Sequence, residues 1–151
     1  MTEDLDHIMS VMEAAFAPAW GEAWTRRQIS DSLAFPHTYY RLIREGGEDA
    51  DGDAPVDGFT LVRAAPGEEE LLLIAVKPDR RGHGLGRRLL EGVLADARGR
   101  GAERVFLEMR YNNPAAALYS AVGFEPIGKR KDYYRLPDGR RIDAITYACR
   151  I

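Results

Sequence analysis

A chain of 151 residues is about one domain long and can bury a core of its own without disulfide or metal staples. Its content of 45% hydrophobic and 30% charged residues is that of a folded globular protein and excludes a wholly disordered one. The net charge of −3 conceals an asymmetry: residues 1–76 carry 15 Asp and Glu against 5 Lys and Arg, whereas residues 77–151 carry 9 against 16. A chain divided in this way suggests one anionic ligand and one cationic partner. The longest aliphatic run, Leu71–Val76, is far shorter than the roughly 20 residues of a membrane span, so no membrane role is expected. Met1–Ser10 holds Glu3, Asp4 and Asp6 and no basic segment, unlike a secretory signal, and the cytoplasm is the expected compartment. The single cysteine, Cys149, excludes an internal disulfide and a multi-cysteine zinc site.

No internal repeat or long linker interrupts the chain, and residues 1–151 read as a single domain. Leu5, Ile8, Met9, Met12 and Phe16 recur at three- and four-residue spacing and predict an amphipathic helix over 2–17. Thr25, with Gln28 three residues on, predicts a capping box for a second helix over Arg26–Leu33. Thr38–Arg44 and Val56–Ala64 read as a strand hairpin around a turn at 46–55. After a turn at Pro66–Glu69, the continuous apolar run of Glu70–Val76 reads as a central strand. A glycine-rich basic loop then leads into a long helix whose buried stripe is Leu85, Leu89, Leu90, Val93, Leu94 and Ala97, ended by Gly99 or Gly101. Arg104–Arg110 is a strand, Asn113-Pro114 starts a short helix that ends at Gly123, and Phe124–Tyr134 and Arg141–Cys149 form a hairpin over Pro137-Asp138-Gly139. The order fits a mixed α/β sheet with helices on both faces.

The segment from Arg80 to Arg88 sits between a central strand and a long helix. Glycines that free backbone amides, together with a helix N-terminus and four arginines, make a cradle for an anion. No Gly-Lys-Ser/Thr follows, which excludes a Walker loop, and the glycine spacing does not fit a dinucleotide fingerprint. Glu108 stands in the apolar strand Val105-Phe106-Leu107-Glu108-Met109. A carboxylate partly desolvated in such a strand binds its proton more tightly, as a general base requires; the same residue also reads as a surface-facing or salt-bridged carboxylate. Tyr119, on the short helix, is either a core aromatic or a proton donor. Tyr133-Tyr134, beside Lys129–Lys131, either lines a cleft or packs the hairpin. Asp49, Asp51 and Asp53 lack the Gly and Glu positions of a calcium loop; His7, His37 and His83 have no ligand spacing. Trp20 and Trp24 read as packing residues, and no basic–aromatic repeat points to nucleic acid.

Together these motifs resemble the GCN5-related N-acetyltransferase (GNAT) family. Arg81-Gly82-His83-Gly84-Leu85-Gly86 fits its Gln/Arg-x-x-Gly-x-Gly/Ala signature and follows Ile74-Ala75-Val76-Lys77-Pro78 as the family's central strand does. Asn113-Pro114, Leu118-Tyr119 and Gly123-Phe124 are similar to its fourth motif. The resemblance covers residues 56–151 well and the first helices loosely. Leu107-Glu108-Met109-Arg110, Arg130–Tyr134, Asp138-Gly139-Arg140 and Asp143-Ala144-Ile145 further resemble the subfamily of ribosomal-protein alanine N-acetyltransferases, the RimI type.

The resemblance implies a GNAT-like sheet splayed at an acetyl-CoA site, with acetyl-CoA as cosubstrate and no metal. It implies cofactor contacts from Ile74, Ala75 and Val76, from Arg81, Gly82, His83, Gly84, Leu85, Gly86 and Arg87, and from Asn112 or Asn113. Because the segment from Glu108 to Tyr119 is one residue shorter than the family pattern, either asparagine matches. An N–H near Ala75 or Val76 would polarise the thioester carbonyl, Glu108 would act as base through water, and Tyr119 as acid. An acetyl-cysteine route is not expected, since Cys149 lies at the chain end with no histidine near it in sequence.

The implied acceptor is the α-amine of an N-terminal alanine, on a protein or peptide with a basic tail. An α-amine, with a pKa near 7.8, is neutral in roughly one molecule in seven at pH 7, whereas lysine, near 10.4, is neutral about once in 2,500. The difference is roughly 3.5 kcal/mol, and a single carboxylate base is better matched to the α-amine. Glu22, Glu68, Glu69 and Glu70 are candidates to face the basic tail. The alternatives are an acetyltransferase for a small amine and a catalytically silent acetyl-CoA-binding module.

Overall fold

The computed structural model describes residues 2–16, 23–44 and 55–151. Trp20, Glu22, the acidic turn with Asp49, Asp51 and Asp53, and the last residue of the first predicted helix lie outside the described residues. Helix α1 spans Thr2–Ala15 and α2 spans Arg26–Ala34. The capping box at α2 is formed: Gln28 N–H donates to Thr25 Oγ1 at 3.2 Å, and Thr25 N–H donates to Gln28 Oε1 at 2.7 Å. The strands are β1 (Thr38–Ile43), β2 (Gly58–Ala65), β3 (Glu68–Val76), β4 (Arg104–Arg110), β5 (Glu125–Arg135) and β6 (Arg141–Arg150). A single 3-10 turn, Pro78–Arg80, precedes helix α3 (Leu85–Gly99), and α4 spans Ala116–Val122.

Most element ends shift by a residue or two from those expected, and two of the shifts bear on the site's approach. Strand β3 begins at Glu68, so the turn before it shrinks to Pro66-Gly67. Helix α4 begins two residues after Pro114, because Asn113 first caps a turn: its Oδ1 accepts Ala115 N–H at 2.9 Å and its carbonyl accepts Ala116 N–H at 3.2 Å.

The six strands run in the order β1-β2-β3-β4-β6-β5, antiparallel except for the parallel pair β3 and β4. Helices cover both faces. On one, Ile8, Val11 and Met12 of α1 and Ile29 of α2 pack on Phe59, Leu61, Leu73 and Ala75. On the other, Leu90, Val93 and Ala97 of α3 and Tyr119 of α4 pack on Val62, Leu71, Val105, Leu107 and Met109. Leu71 and Leu73 serve opposite faces although they stand two apart. Leu72 is an extra residue in β3, a bulge opposite Leu61/Val62, and it resets the alternation. Gly58 is fixed by close approach, since a Cβ there would lie 2.9 Å from the Ala75 carbonyl and 3.1 Å from Leu89.

The three glutamates expected to face a basic tail are used inside the protein. Glu69 is 1% exposed and takes a bidentate pair from Arg100, Nε to Oε2 at 2.9 Å and Nη2 to Oε1 at 2.7 Å. Arg100 also lies over the Tyr39 ring, 4.1 Å from its centroid. Glu68 pairs with Arg104 and Glu70 with Arg63. All three stand at the start of β3, roughly 20 Å or more from its end at Val76 by strand rise. Their role as a substrate-facing patch is therefore corrected: each carboxylate already has a guanidinium partner.

Candidate active site

Strands β3 and β4 pair only over Glu68–Glu70 with Arg104–Phe106 and then separate. Beyond Glu70, β3 stays paired with β2 to its end but, among the described residues, has no strand partner on its other side. The register decides which groups face the gap. Lys77 N–H donates to the Asp57 carbonyl at 2.8 Å, and the Ala75 carbonyl lies against Gly58. Alternation along an antiparallel pair then directs Ala75 to β2 and leaves the N–H groups of Ile74 and Val76 pointing to the gap. The Val76 carbonyl accepts Arg81 Nε–H at 3.3 Å, so its strongest acceptor is masked by a cation while its donor is left. The same guanidinium donates from Nη2 to the Ala15 carbonyl at 3.2 Å and ties the C-terminus of α1 to the end of β3.

The gap opens into a cavity of about 670 Å³. Its floor is the glycine loop and the start of α3, including Arg80, Arg81, Gly82, Gly84, Leu85, Gly86 and Arg87. Ile74, Ala75 and Val76 form one wall; Arg110, Asn113, Pro114, Leu118 and Tyr119 form the other; Ala15 and Phe16 close one side. The first helical bond of α3 is Arg88 N–H to the Gly84 carbonyl, which leaves the N–H groups of Leu85, Gly86 and Arg87 outside the helix ladder. Gly84, with φ of +79°, holds the left-handed turn that aims these amides into the cavity. Gly86 lets α3 approach α4: a Cβ there would meet Leu118 Cδ2 at 3.0 Å. Free amides, a helix dipole and flanking arginines form an anion seat, and the cavity suits an elongated ligand with a charged end.

Glu108 and Tyr119 lie on opposite sides of β4. Val105, Leu107 and Met109 point to the core below α3 and α4, where Tyr119 packs against Phe124 and Tyr147 at ring distances of 5.9 and 6.3 Å. Glu108 points to the other face, where its Oε2 accepts Thr146 Oγ1–H at 3.3 Å and lies 3.3 Å from Arg130 Nε. It does not line the cavity, whereas Tyr119 does. The asparagines also separate. Asn112 Oδ1 accepts Arg110 Nη1–H at 2.8 Å, and Asn112 stays outside the cavity; Asn113 lines it. His83 does not line it either. Among the described residues no group of three His, Cys, Asp or Glu side chains is placed to hold a metal ion.

Sequence reasoning placed Pro114 and Leu118 in a motif but not at the cavity, and missed Ala15, Phe16, Arg110 and Ala115. Only Arg110 carried a signal, a charged residue ending an apolar strand. It is 7% exposed, which a guanidinium tolerates only with partners. Cys149 is buried, its thiol pushed up by desolvation, which does not suit a nucleophile.

The class is an α/β fold whose sheet opens at its middle above a helix start lined by glycines and arginines. Residues 5–124 match the acetyltransferase (GNAT) family, and the chain belongs to that family. It is an N-acetyltransferase. It is 42% identical over 116 residues to N-alpha-acetyltransferase RimI of Mycobacterium tuberculosis, covering 76% of this chain and 70% of that protein. It is 32% identical over 148 residues to the ribosomal protein bS18-alanine N-acetyltransferase of Escherichia coli strain K12, covering 97% of this chain and 91% of that one. The crystal structure of the Escherichia coli ribosomal-protein-S18-alanine N-acetyltransferase superposes with a TM-score of 0.82 at 30% identity, over 100% of this chain and 90% of that chain.

Proposed function

We propose that the protein transfers the acetyl group of acetyl-CoA directly to the α-amine of an N-terminal alanine, on a protein substrate of the ribosomal kind. The observation that carries this reading is the parting of β3 and β4 after Glu70, directly above the free amides of Leu85–Arg87. The amides would receive the pyrophosphate, and the Val76 N–H would meet the thioester carbonyl, where negative charge develops during attack. Glu108 would take the proton of the attacking amine through water, and Tyr119 would protonate the departing thiolate. Their placement on opposite faces of β4 suits this division, with acceptor on one side and cofactor on the other. Asn113, not Asn112, would be the cofactor contact. Support for the acceptor comes from the relatives' names and from the lower pKa of an α-amine, not from Glu68–Glu70. A preference for a basic tail therefore needs acidic groups other than those three. The test is acetylation of Ala-Arg-rich, Ala-Glu-rich and α-N-blocked Lys peptides at low and high salt. Acetylation of the two Ala peptides supports the acceptor class, and faster acetylation of the blocked Lys peptide overturns it. Loss of the Ala-Arg advantage at high salt supports the basic tail; equal rates at low salt remove it.

A further inference from the structure

The carboxylate of Glu108 meets a cation before any substrate arrives. Arg130, on the edge strand β5, reaches across β6 to place Nε 3.3 Å from Glu108 Oε2. The path is clear because Gly128 stands opposite Thr146 and Ala144 opposite Arg130. The guanidinium is steadied on its other side by the Tyr133 ring, 4.9 Å from its centroid, and the carboxylate by Thr146 Oγ1. Arg130 is 60% exposed and Glu108 20%, so the pair lies at the solvent edge of the sheet. We propose that Arg130 is the residue that sets amine selectivity, by keeping positive charge at the place where the acceptor nitrogen must approach Glu108. The inference rests on the reading of Glu108 as the base. An ammonium entering there meets a guanidinium already paired with the only carboxylate it needs, so the acceptor must arrive neutral. At pH 7 that demand favours an α-amine over a lysine side chain by about 350-fold in available neutral form. Without the cation, a lysine ammonium can pair with Glu108 directly, so the charged form is no longer kept from the acceptor position.

The test compares kcat/KM for an Ala-leading peptide and an α-N-blocked Lys peptide in the wild type, Arg130→Gln and Arg130→Lys. Arg130 is exposed on an edge strand, so both variants are expected to fold. Arg130→Gln should lower the Ala-to-Lys ratio by about tenfold or more, part of the span set by the two amines' pKa values. Arg130→Lys, which keeps the charge, should keep the ratio within a few-fold of wild type. A ratio unchanged in Arg130→Gln, or a proportional loss on both peptides in both variants, overturns the assignment. Failure of the underlying reading is seen separately, as wild-type protein that acetylates neither peptide or as Glu108→Gln that retains full turnover.

Discussion

Glu108 and Tyr119 can each be altered without emptying the core, which makes their roles separable. Tyr119→Phe keeps the ring between Phe124 and Tyr147 and removes only the hydroxyl at the cavity wall. Glu108→Gln keeps the shape and removes the proton acceptor. We predict that each lowers kcat by about 10²–10⁴-fold, the usual contribution of a general acid or base. Calorimetric affinity for acetyl-CoA should stay close to wild type in both. A variant that binds acetyl-CoA normally and turns over at the wild-type rate sinks that residue's assignment. Glu108 was legible in the sequence because a charge in an apolar strand is conspicuous. Its partner Arg130 was not, since only the β4-β6-β5 register brings the two together. Glu69 misled for a related reason: a run of three glutamates reads as solvated, and nothing local shows a guanidinium 31 positions away.

Helix α3 and strand β3 carry the site between them. At the start of α3, Gly84 combines a left-handed φ of +79° with a place in the anion seat. Gly84→Asp strains the backbone and sets a carboxylate among the amides. We predict a loss of acetyl-CoA affinity of about five- to thirtyfold, from helix-dipole and charge effects of about 1–2 kcal/mol; titration calorimetry showing wild-type affinity would remove the loop from the site. At the other layer, α1 is held to β1 by Tyr40, whose hydroxyl donates to Asp4 Oδ2 at 2.5 Å. That bond, with burial and the nearby negative charge, raises the Tyr40 pKa to about 12. The folded value exceeds the unfolded one, so the stabilisation is complete below about pH 10 and is lost as pH rises through 12. Tyr40→Phe should cost about 1 kcal/mol near neutral pH. In urea melts its deficit against wild type should shrink between pH 10 and 12, and a constant deficit would disprove the linkage. Helix and strand existence followed from periodicity and caps. The bulge at Leu72 did not, because a run of leucines pairs equally well in two registers until the helices choose the faces.

Across the molecule, the parting of β3 and β4 is the feature on which fold and function meet. The strands are paired at one end, where Glu68 holds Arg104 of β4 and Glu69 holds Arg100 at the end of α3, and they are open at the other. Glu69 is the buried member, and Glu69→Gln leaves Arg100 short of a counter-charge. A destabilisation of about 3 kcal/mol is expected, as for breaking a buried pair, with little change in the affinity of the distant cavity. Conversely, acetyl-CoA at about 100 times its dissociation constant should add about 2.7 kcal/mol to the wild-type unfolding free energy. The division of charge along the chain was legible, but its meaning was not. Arg80, Arg81, Arg87 and Arg110 line the cavity, whereas Glu68, Glu69 and Glu70 are each paired with an arginine at the start of β3. The central claim is direct transfer to an N-terminal alanine. Its most direct measurement is fragmentation mass spectrometry of an Ala-leading peptide incubated with protein and acetyl-CoA. The prediction is an acetyl group on the α-nitrogen, absent with Glu108→Gln. Acetyl groups only on lysine side chains, or none on the peptide while acetyl-CoA is bound, would contradict it.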